Sequence, residues 1–341
     1  MKKERAEAWK QAMALRKRFN TLVVCRANTA QAYQTVYEKT DAYRSATSLK
    51  PAEAHRVFVF SAELWSECAA APWSNLADWK DSAAAAIQFM LAQRGPADVL
   101  IFCDGRSRSC RQEMEILAND ARNLAELFII YAPTQRLGRR VAWGGANCEV
   151  MLVSLPVNRT LMATKDRAAG HFNAAGEAST HETTYTGVQP VPWGALPLLS
   201  PDDKKKVLGI ADVELPPQAV FDGSGGIPLF WQERKPVQLW RKIYEDLLAR
   251  VVVDLTPGGG LAARAAMEMG LAYVGFTRSG EHNQWLTTVC ERNALRAAVT
   301  SGTALYSQDL QGSIEEHFGD VLTHLKEADA AEDKAPLEDE S

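Results

Sequence analysis

The chain has 341 residues, 46% of them hydrophobic, and a formal net charge of −4. This length and apolar content suffice for one sizeable α/β domain or two smaller ones, and the slight acidity argues against indiscriminate nucleic-acid binding. The six cysteines include no C-x-x-C pair, so they fit neither a zinc cluster nor a disulfide scaffold. We interpret the cysteines as reduced thiols and expect an intracellular protein, cytoplasmic or nuclear. No apolar run approaches the length of a membrane span, so no membrane contact is expected. The six histidines lie too far apart for a clear metal motif, so no metal site is expected.

Strand and helix patterns alternate through the first half of the chain. Residues 1–50 are interpreted as a helical extension with a short strand at 21–25, and its basic first helix fits a solvated face, nucleic acid or an acidic partner. The main domain is assigned to residues 51–326. Its first elements are strands at 56–60, 97–105, 126–133, 139–143 and 148–156, with helices at 82–95 and 111–124. The last two strands flank a G-G-A-N turn, which predicts a hairpin at one edge of a doubly wound α/β sheet.

Two segments depart from this alternation. Residues 157–230 are polar, rich in small residues and interrupted by prolines, so they are interpreted as a long insertion that either makes a surface excursion or faces a substrate. Residues 327–341 are acidic and nearly devoid of large apolar side chains, which predicts a disordered tail.

A glycine turn joins a strand pattern to a helix pattern near the C-terminus. The stretch VVVDLTPGGG ends a buried strand at Asp254 and places Gly258, Gly259 and Gly260 before the helix pattern LAARAAMEMG. Glycines permit positive φ and close approach of a ligand, and the following helix offers unpaired N–H donors. The spacing matches neither a dinucleotide fingerprint nor a phosphate loop, and geometry alone is an alternative reason for the glycines.

Three segments around this turn follow a particular order. In the turn, Asp254, Gly258 and Gly260 fall on the Asp and the two glycines of the pattern D-P-F-x-G-x-G. A K-P-x-x-L motif occupies 235–239, and the next strand contains Y-V-G-F at 273–276. In this order they resemble the DNA and RNA amino-methyltransferases that modify adenine N6 or cytosine N4 with S-adenosylmethionine. The elements from 56 to 156 fit the permuted arrangement of that family, in which the catalytic strand precedes the cofactor turn.

The resemblance implies both a fold and a cofactor site. The fold would be a mostly parallel, seven-stranded, Rossmann-like methyltransferase sheet with a hairpin edge. The cofactor would be S-adenosylmethionine, bound by residues of the first two motifs: Lys235, Pro236, Asp254, Gly258, Gly259 and Gly260.

The catalytic loop of the family is the first point of departure. The family has Asp or Asn, two prolines and an aromatic residue after the first strand, where they orient the target amine and stack on the extruded base. This chain has Ser61-Ala-Glu63-Leu-Trp65, so Ser61 and Glu63 are the candidate catalytic groups. Trp65 and Trp73 are the candidates for stacking on a base, although a tryptophan that covers the sheet edge is an alternative for Trp73.

The second departure lies at the end of Y-V-G-F. The family places an acidic residue there to accept hydrogen bonds from the ribose hydroxyls, whereas this chain has Thr277. Glu281 would replace that acid only if the turn bends back. Since a carboxylate is the stronger acceptor, both departures together indicate a degenerate site.

These observations support three hypotheses. The first is a divergent amino-methyltransferase homologue that acts on nucleic acid, with weak or lost activity. The second is a non-catalytic binding or scaffold subunit with a protein partner or a homo-oligomeric state. The third is an enzyme that uses the glycine turn for another adenosine-containing ligand.

Overall fold

A computed structural model describes residues 2–17, 20–25, 29–50, 55–62, 79–103, 124–131, 148–156, 188–189, 207–211, 235 and 237–333. The strands are β1 (Asn20–Val24), β2 (Arg56–Ser61), β3 (Val99–Cys103), β4 (Leu124–Tyr131), β5 (Cys148–Ser154), β6 (Val188–Gln189), β7 (Val207–Ala211), β8 (Val251–Asp254) and β9 (Ala272–Thr277). The helices are α1 (Lys2–Lys17), α2 (Ala30–Tyr37), α3 (Asp41–Thr47), α4 (Trp79–Gln93), α5 (Val237–Asp246), α6 (Leu261–Glu268), α7 (Gly280–Val299) and α8 (Gln308–Asp333).

Within the described residues, the nine strands form one mixed sheet. Their order is β1-β9-β8-β2-β3-β5-β4-β7-β6. The five strands from β1 to β3 are parallel, β5 is antiparallel to both β3 and β4, β7 is parallel to β4, and β6 is antiparallel to β7. The carboxyl ends of the five parallel strands therefore share one edge of the sheet.

Helices cover both faces of the sheet. In β2, Val57 and Val59 pack in a core with α5, α6 and α7, whereas Phe58 and Phe60 pack in a second core with α2, α3 and α4. Apolar side chains on successive residues are required because a central parallel strand is buried on both faces. This arrangement confirms the doubly wound, Rossmann-like α/β fold predicted from the sequence.

Two features of the sheet differ from the prediction. Its described part has nine strands instead of seven, because β6 and β7 come from the segment interpreted as an insertion. The apolar run of β7 pairs with β4, whose backbone groups would otherwise stand unpaired at an edge. The strand β5 lies between β3 and β4 instead of at the edge.

The predicted helix at 111–124 lies almost entirely outside the described residues, and the predicted strand at 139–143 lies wholly outside them.

The N-terminal segment contributes directly to the sheet. The strand β1 pairs with β9 along its whole length. The side chains of Tyr33 and Tyr37, on α2, are fully buried, and both rings contact Phe89. Thr29 and Thr40 cap α2 and α3, which explains why this polar stretch forms two short helices.

The N-terminal helix and the last two helices together form a helical layer. The helices α1, α7 and α8 share a third apolar core that includes Met267 of α6. The helix α8 continues to Asp333, beyond the boundary assigned at residue 326, and residues 334–341 lie outside the described residues. Within the described ranges, none of the helices combines the length and apolar character that a membrane crossing requires.

Candidate functional site

The strand register brings the predicted site residues to one edge of the sheet. Asp254 at the end of β8 is level with Val59 on one side and Gly275 on the other. Ser61 and Thr277 each end a neighbouring strand two residues farther along. Ser61, the glycine turn and Thr277 therefore follow adjacent carboxyl ends, where open α/β sheets bind ligands.

The glycine turn requires glycine at two of its three positions. Gly258 has φ of 49° and Gly260 has φ of 92°, both in the left-handed region that disfavours residues with a side chain. The Gly260 N–H donates to the Pro257 carbonyl at 2.9 Å, and the Gly260 carbonyl accepts the Arg264 N–H at 2.8 Å, which starts α6. Gly258 and Gly260 are buried, while Gly259 between them is partly exposed.

The first turns of α7 contact this glycine turn. His282 Nε2 lies 2.9 Å from the Gly258 carbonyl oxygen, and the imidazole is only 1% exposed. One turn farther along, Leu286 lies so close to Gly260 that an added Cβ would come within 2.7 Å of its Cδ1 atom. The helix α7 therefore packs directly on the two glycines that have positive φ.

Asp254 is held inside the fold by two donors. Its Oδ1 accepts the Thr256 N–H at 2.9 Å, and its Oδ2 accepts the Tyr273 hydroxyl at 2.9 Å. Burial raises the pKa of Asp254 to about 7, although both hydrogen bonds favour the ionised form. The carboxyl group thus stabilises the turn and the neighbouring strand β9.

The end of β2 is tied to the same turn. The Ser61 N–H donates to Thr256 Oγ1 at 2.8 Å, and the Leu255 N–H donates to the Val59 carbonyl at 2.9 Å. Ser61 itself is buried. Thr256 therefore connects the candidate catalytic strand to the candidate cofactor turn.

The residue at the position of the family's ribose acceptor is turned inward. Thr277 is fully buried, its hydroxyl donates to the Val23 carbonyl at 3.1 Å, and it accepts the Asn283 side-chain amide at 3.1 Å. These contacts fix β1 and α7 to the end of β9. Glu281, in the first turn of α7, is exposed.

The direction of α5 determines at which edge of the sheet Lys235 lies. This helix leads through a short link into the amino end of β8, and its ten residues span roughly 15 Å, similar to the roughly 13 Å of the four-residue strand. Its N-terminus therefore lies at the carboxyl edge, beside the start of α6, on which α5 packs. Lys235 is 5% exposed at that end.

Four of the predicted site residues lie outside the described residues: Glu63, Trp65, Trp73 and Pro236. Conversely, the structure adds two residues that the sequence reasoning missed. Thr256 lies within the turn motif, where the sequence gives no sign of its contact with Ser61. His282 stands three residues after the capping Ser279, and that spacing indicates only the start of a helix. In the described part of the chain, no group of three His, Cys, Asp or Glu side chains is arranged to hold a metal ion.

Comparisons with known proteins found similarity only among solved structures. No family model matches the chain, and no curated protein matches it. The chain is similar to M1.HpyAVI in complex with SAM, with 11% identity, a TM-score of 0.40 and coverage of 79% of this chain and 98% of that one. It is also similar to TTHA0409 of Thermus thermophilus, provisionally assigned as a DNA modification methylase, with 13% identity, a TM-score of 0.40 and coverage of 74% and 93%. TTHA0409 complexed with S-adenosyl-L-methionine gives 13% identity, a TM-score of 0.37 and coverage of 74% and 92%.

Proposed function

We propose that this protein is a divergent S-adenosylmethionine-dependent amino-methyltransferase homologue that acts on nucleic acid, with weak or lost methyl transfer. The observation that carries the proposal is the glycine turn between β8 and α6. It lies at the carboxyl edge of the parallel strands, and Gly258 and Gly260 both have positive φ. Such a turn lets a ligand approach the backbone closely at a helix N-terminus.

The cofactor would be held by groups from three elements. The turn residues 258–260 would contact it through the backbone, and Lys235 and Pro236 would border it from the start of α5. Thr277 is a poor partner for the ribose because its hydroxyl is fully buried between β1 and α7. We therefore assign ribose contact to Glu281, the exposed carboxylate of the first turn of α7. When bound, S-adenosylmethionine would supply the methyl group.

The substrate side would depend on the end of β2. We place Ser61 and Glu63 at the target amine, where a positioned acceptor orients the nitrogen lone pair, and Trp65 and Trp73 against the extruded base. Loss of one oriented hydrogen bond in a preorganised site costs about 3–4 kcal/mol, or a factor of hundreds in rate. Our expectation of weak transfer rests on the sequence after β2, where the Asp or Asn and both prolines of the family's catalytic loop are missing.

A non-catalytic binding or scaffold subunit is the second candidate function. It is favoured by the fact that two polar groups at the strand ends, the Asp254 carboxyl and the Thr277 hydroxyl, are used for contacts inside the fold. In that case a protein partner or a second copy of the chain would complete the function.

Ligand titration tests the proposal. Binding of S-adenosylmethionine and its demethylated product would be measured by calorimetry with the unmodified protein, with Gly259→Leu, and with Gly312→Leu as the matched control. Gly312 is exposed on α8, and an added Cβ there meets nothing within 4 Å. We expect Gly259→Leu to abolish binding and Gly312→Leu to preserve it. If neither ligand binds at millimolar concentration, the scaffold function is favoured.

Methyl transfer is measured separately. Labelled S-adenosylmethionine would be incubated with DNA or RNA and either the unmodified protein or Glu63→Ala. We expect slow transfer that Glu63→Ala reduces further. Transfer at ordinary enzymatic rates that Glu63→Ala leaves unchanged would show that the degenerate-site interpretation is wrong.

A further inference from the structure

The buried imidazole of His282 bridges α7 and the glycine turn. Ser279 begins α7 by accepting the His282 N–H at 2.9 Å, so the backbone of His282 is fixed at the helix start. Its side chain then extends to the Gly258 carbonyl oxygen, 2.9 Å from Nε2. The end of β9 and the turn after β8 are thereby connected through one side chain.

The chemistry of this contact defines the tautomer. A carbonyl oxygen only accepts hydrogen bonds, so Nε2 must carry the proton and donate. Burial lowers the pKa of His282 to about 4, against the opposing effect of the Gly258 carbonyl, and the ring is therefore neutral near pH 7. The contact is a buried hydrogen bond from a neutral imidazole.

The peptide between Gly258 and Gly259 is oriented by this bond. In a planar trans peptide the C=O and N–H groups point in opposite directions. Because the Gly258 carbonyl points at α7, the Gly259 N–H points away from α7. Gly259 is the partly exposed member of the three glycines.

Leu286 supplies a second contact from the same helix. It occupies the space beside Gly260, where an added Cβ would come within 2.7 Å of Leu286 Cδ1. Three consecutive glycines have the greatest backbone freedom of any tripeptide, so a single shape of this turn requires outside contacts. The side chains of His282 and Leu286, one helical turn apart, provide two of them.

We propose that His282 is a positioning residue that holds the 258–259 peptide in the orientation needed for nucleoside binding at the turn. This inference rests on the proposed function for its ligand, but its structural part concerns the free protein. Without the imidazole donor, the turn divides its population among several shapes. Apparent affinity then falls in proportion to the fraction that remains competent to bind.

The matched variants are His282→Gln and His282→Met. Glutamine places an amide donor close to the position of Nε2, whereas methionine has similar length and no donor. His324→Gln, at an exposed position on α8, controls for the loss of a histidine. Amide hydrogen exchange of residues 256–262 would be followed without ligand, and the Kd of S-adenosylmethionine and its demethylated product would be measured in parallel.

We expect His282→Met to speed exchange in the turn and to weaken binding by about tenfold, the loss typical of one buried hydrogen bond. His282→Gln should restore most of both values, and His324→Gln should change neither. Equal damage in His282→Met and His282→Gln would overturn the proposal, because packing and not donation would then be responsible. Unchanged exchange in His282→Met would also overturn it.

The two proposals fail in different ways. If the unmodified protein binds neither ligand, the proposed function fails, and the exchange comparison alone decides whether His282 positions the turn. If His282→Met does not fold, Ser279→Ala replaces it, since loss of the helix cap displaces His282 without altering the imidazole. Unchanged exchange of residues 256–262 in folded Ser279→Ala would then overturn the inference.

Discussion

The Tyr273 hydroxyl donates a 2.9 Å hydrogen bond to Asp254 Oδ2 across the adjacent strands β9 and β8. Both side chains are buried, at 1% exposure each. The bond satisfies a carboxyl group that ends the strand before the glycine turn. It thereby couples the position of the turn to the neighbouring strand.

Removal of the phenol should destabilise the fold. Tyr273→Phe leaves Asp254 with the Thr256 N–H as its remaining described donor, and we expect a loss of about 1–2 kcal/mol in the free energy of unfolding. Chemical denaturation would measure it. Tyr306→Phe is the matched control, since that hydroxyl makes an exposed hydrogen bond to Gln311. Equal effects of the two variants would contradict the assigned role.

Asp254 should make stability depend on pH. Burial raises its pKa to about 7 from 3.8. Between these pH values the Asp254 carboxyl is ionised in the unfolded chain but protonated in the folded one. The contribution of Asp254 to stability therefore falls as the pH rises through this window, by at most about 1.4 kcal/mol per pH unit. Asp254→Asn removes this slope, so the variant should gain stability relative to the unmodified protein from pH 4 to pH 7. A constant difference would contradict the assignment.

His282 should make stability depend on pH in the opposite direction. Its pKa is lowered to about 4 from 6.5, chiefly by burial, so between these values the unfolded chain binds a proton that the folded chain does not. Its stabilising contribution is complete above the upper value and is lost as the pH falls through the window. The stability of His282→Gln relative to the unmodified protein should therefore increase toward acid. Parallel denaturation curves at several pH values would reveal this change, and its absence would argue against a neutral buried imidazole.

Gly275 provides the space in which Tyr273 reaches Asp254. A Cβ at Gly275 would lie 3.0 Å from the Tyr273 hydroxyl and 2.9 Å from Leu22 Cδ2. Gly275→Ala should displace the phenol and cost about 1–3 kcal/mol of stability, as overpacking typically does. Gly312→Ala on α8 meets nothing within 4 Å and is expected to be neutral or slightly stabilising. Loss of stability in both variants would point to glycine flexibility instead of the Tyr273 contact.

The N-terminal segment should be indispensable for folding. Tyr33→Ala removes a fully buried ring that contacts Phe89 and Phe276, and we expect a loss of about 3–5 kcal/mol. Tyr306→Ala, at a tyrosine that is 38% exposed, should cost far less. Removal of residues 1–50 deletes β1 as well and should abolish cooperative thermal unfolding. A stable, cooperatively folded protein lacking this segment would show that it is a separate extension.

Local patterns in the sequence predicted much of the sheet. The apolar runs of β2, β3 and β8 are long enough to be read without knowledge of their neighbours, because a strand buried on both faces needs consecutive apolar residues. The glycine turn was equally readable, since positive φ at Gly258 and Gly260 leaves little choice of residue. A doubly wound sheet with its candidate site at the carboxyl edge followed from this alternation.

The sequence did not reveal how distant elements join. The strand β7 lies in a segment that is otherwise polar, and its assignment depends on β4 offering an open edge. Likewise, β5 is interior because it pairs with both β3 and β4. Local periodicity identifies a strand but carries no information about which other strands accept its hydrogen bonds.

By itself, the sequence determined which residues stand at the strand ends: Ser61, Asp254 and Thr277 each follow an apolar run. Only the tertiary structure decided what their polar groups do. Thr277 contacts the Val23 carbonyl from 254 positions away, and Tyr273 reaches Asp254 from 19 positions away. The physical reason is that a buried polar group must find a hydrogen-bond partner, and which partner is near enough depends on how helices and strands distant in the chain pack together.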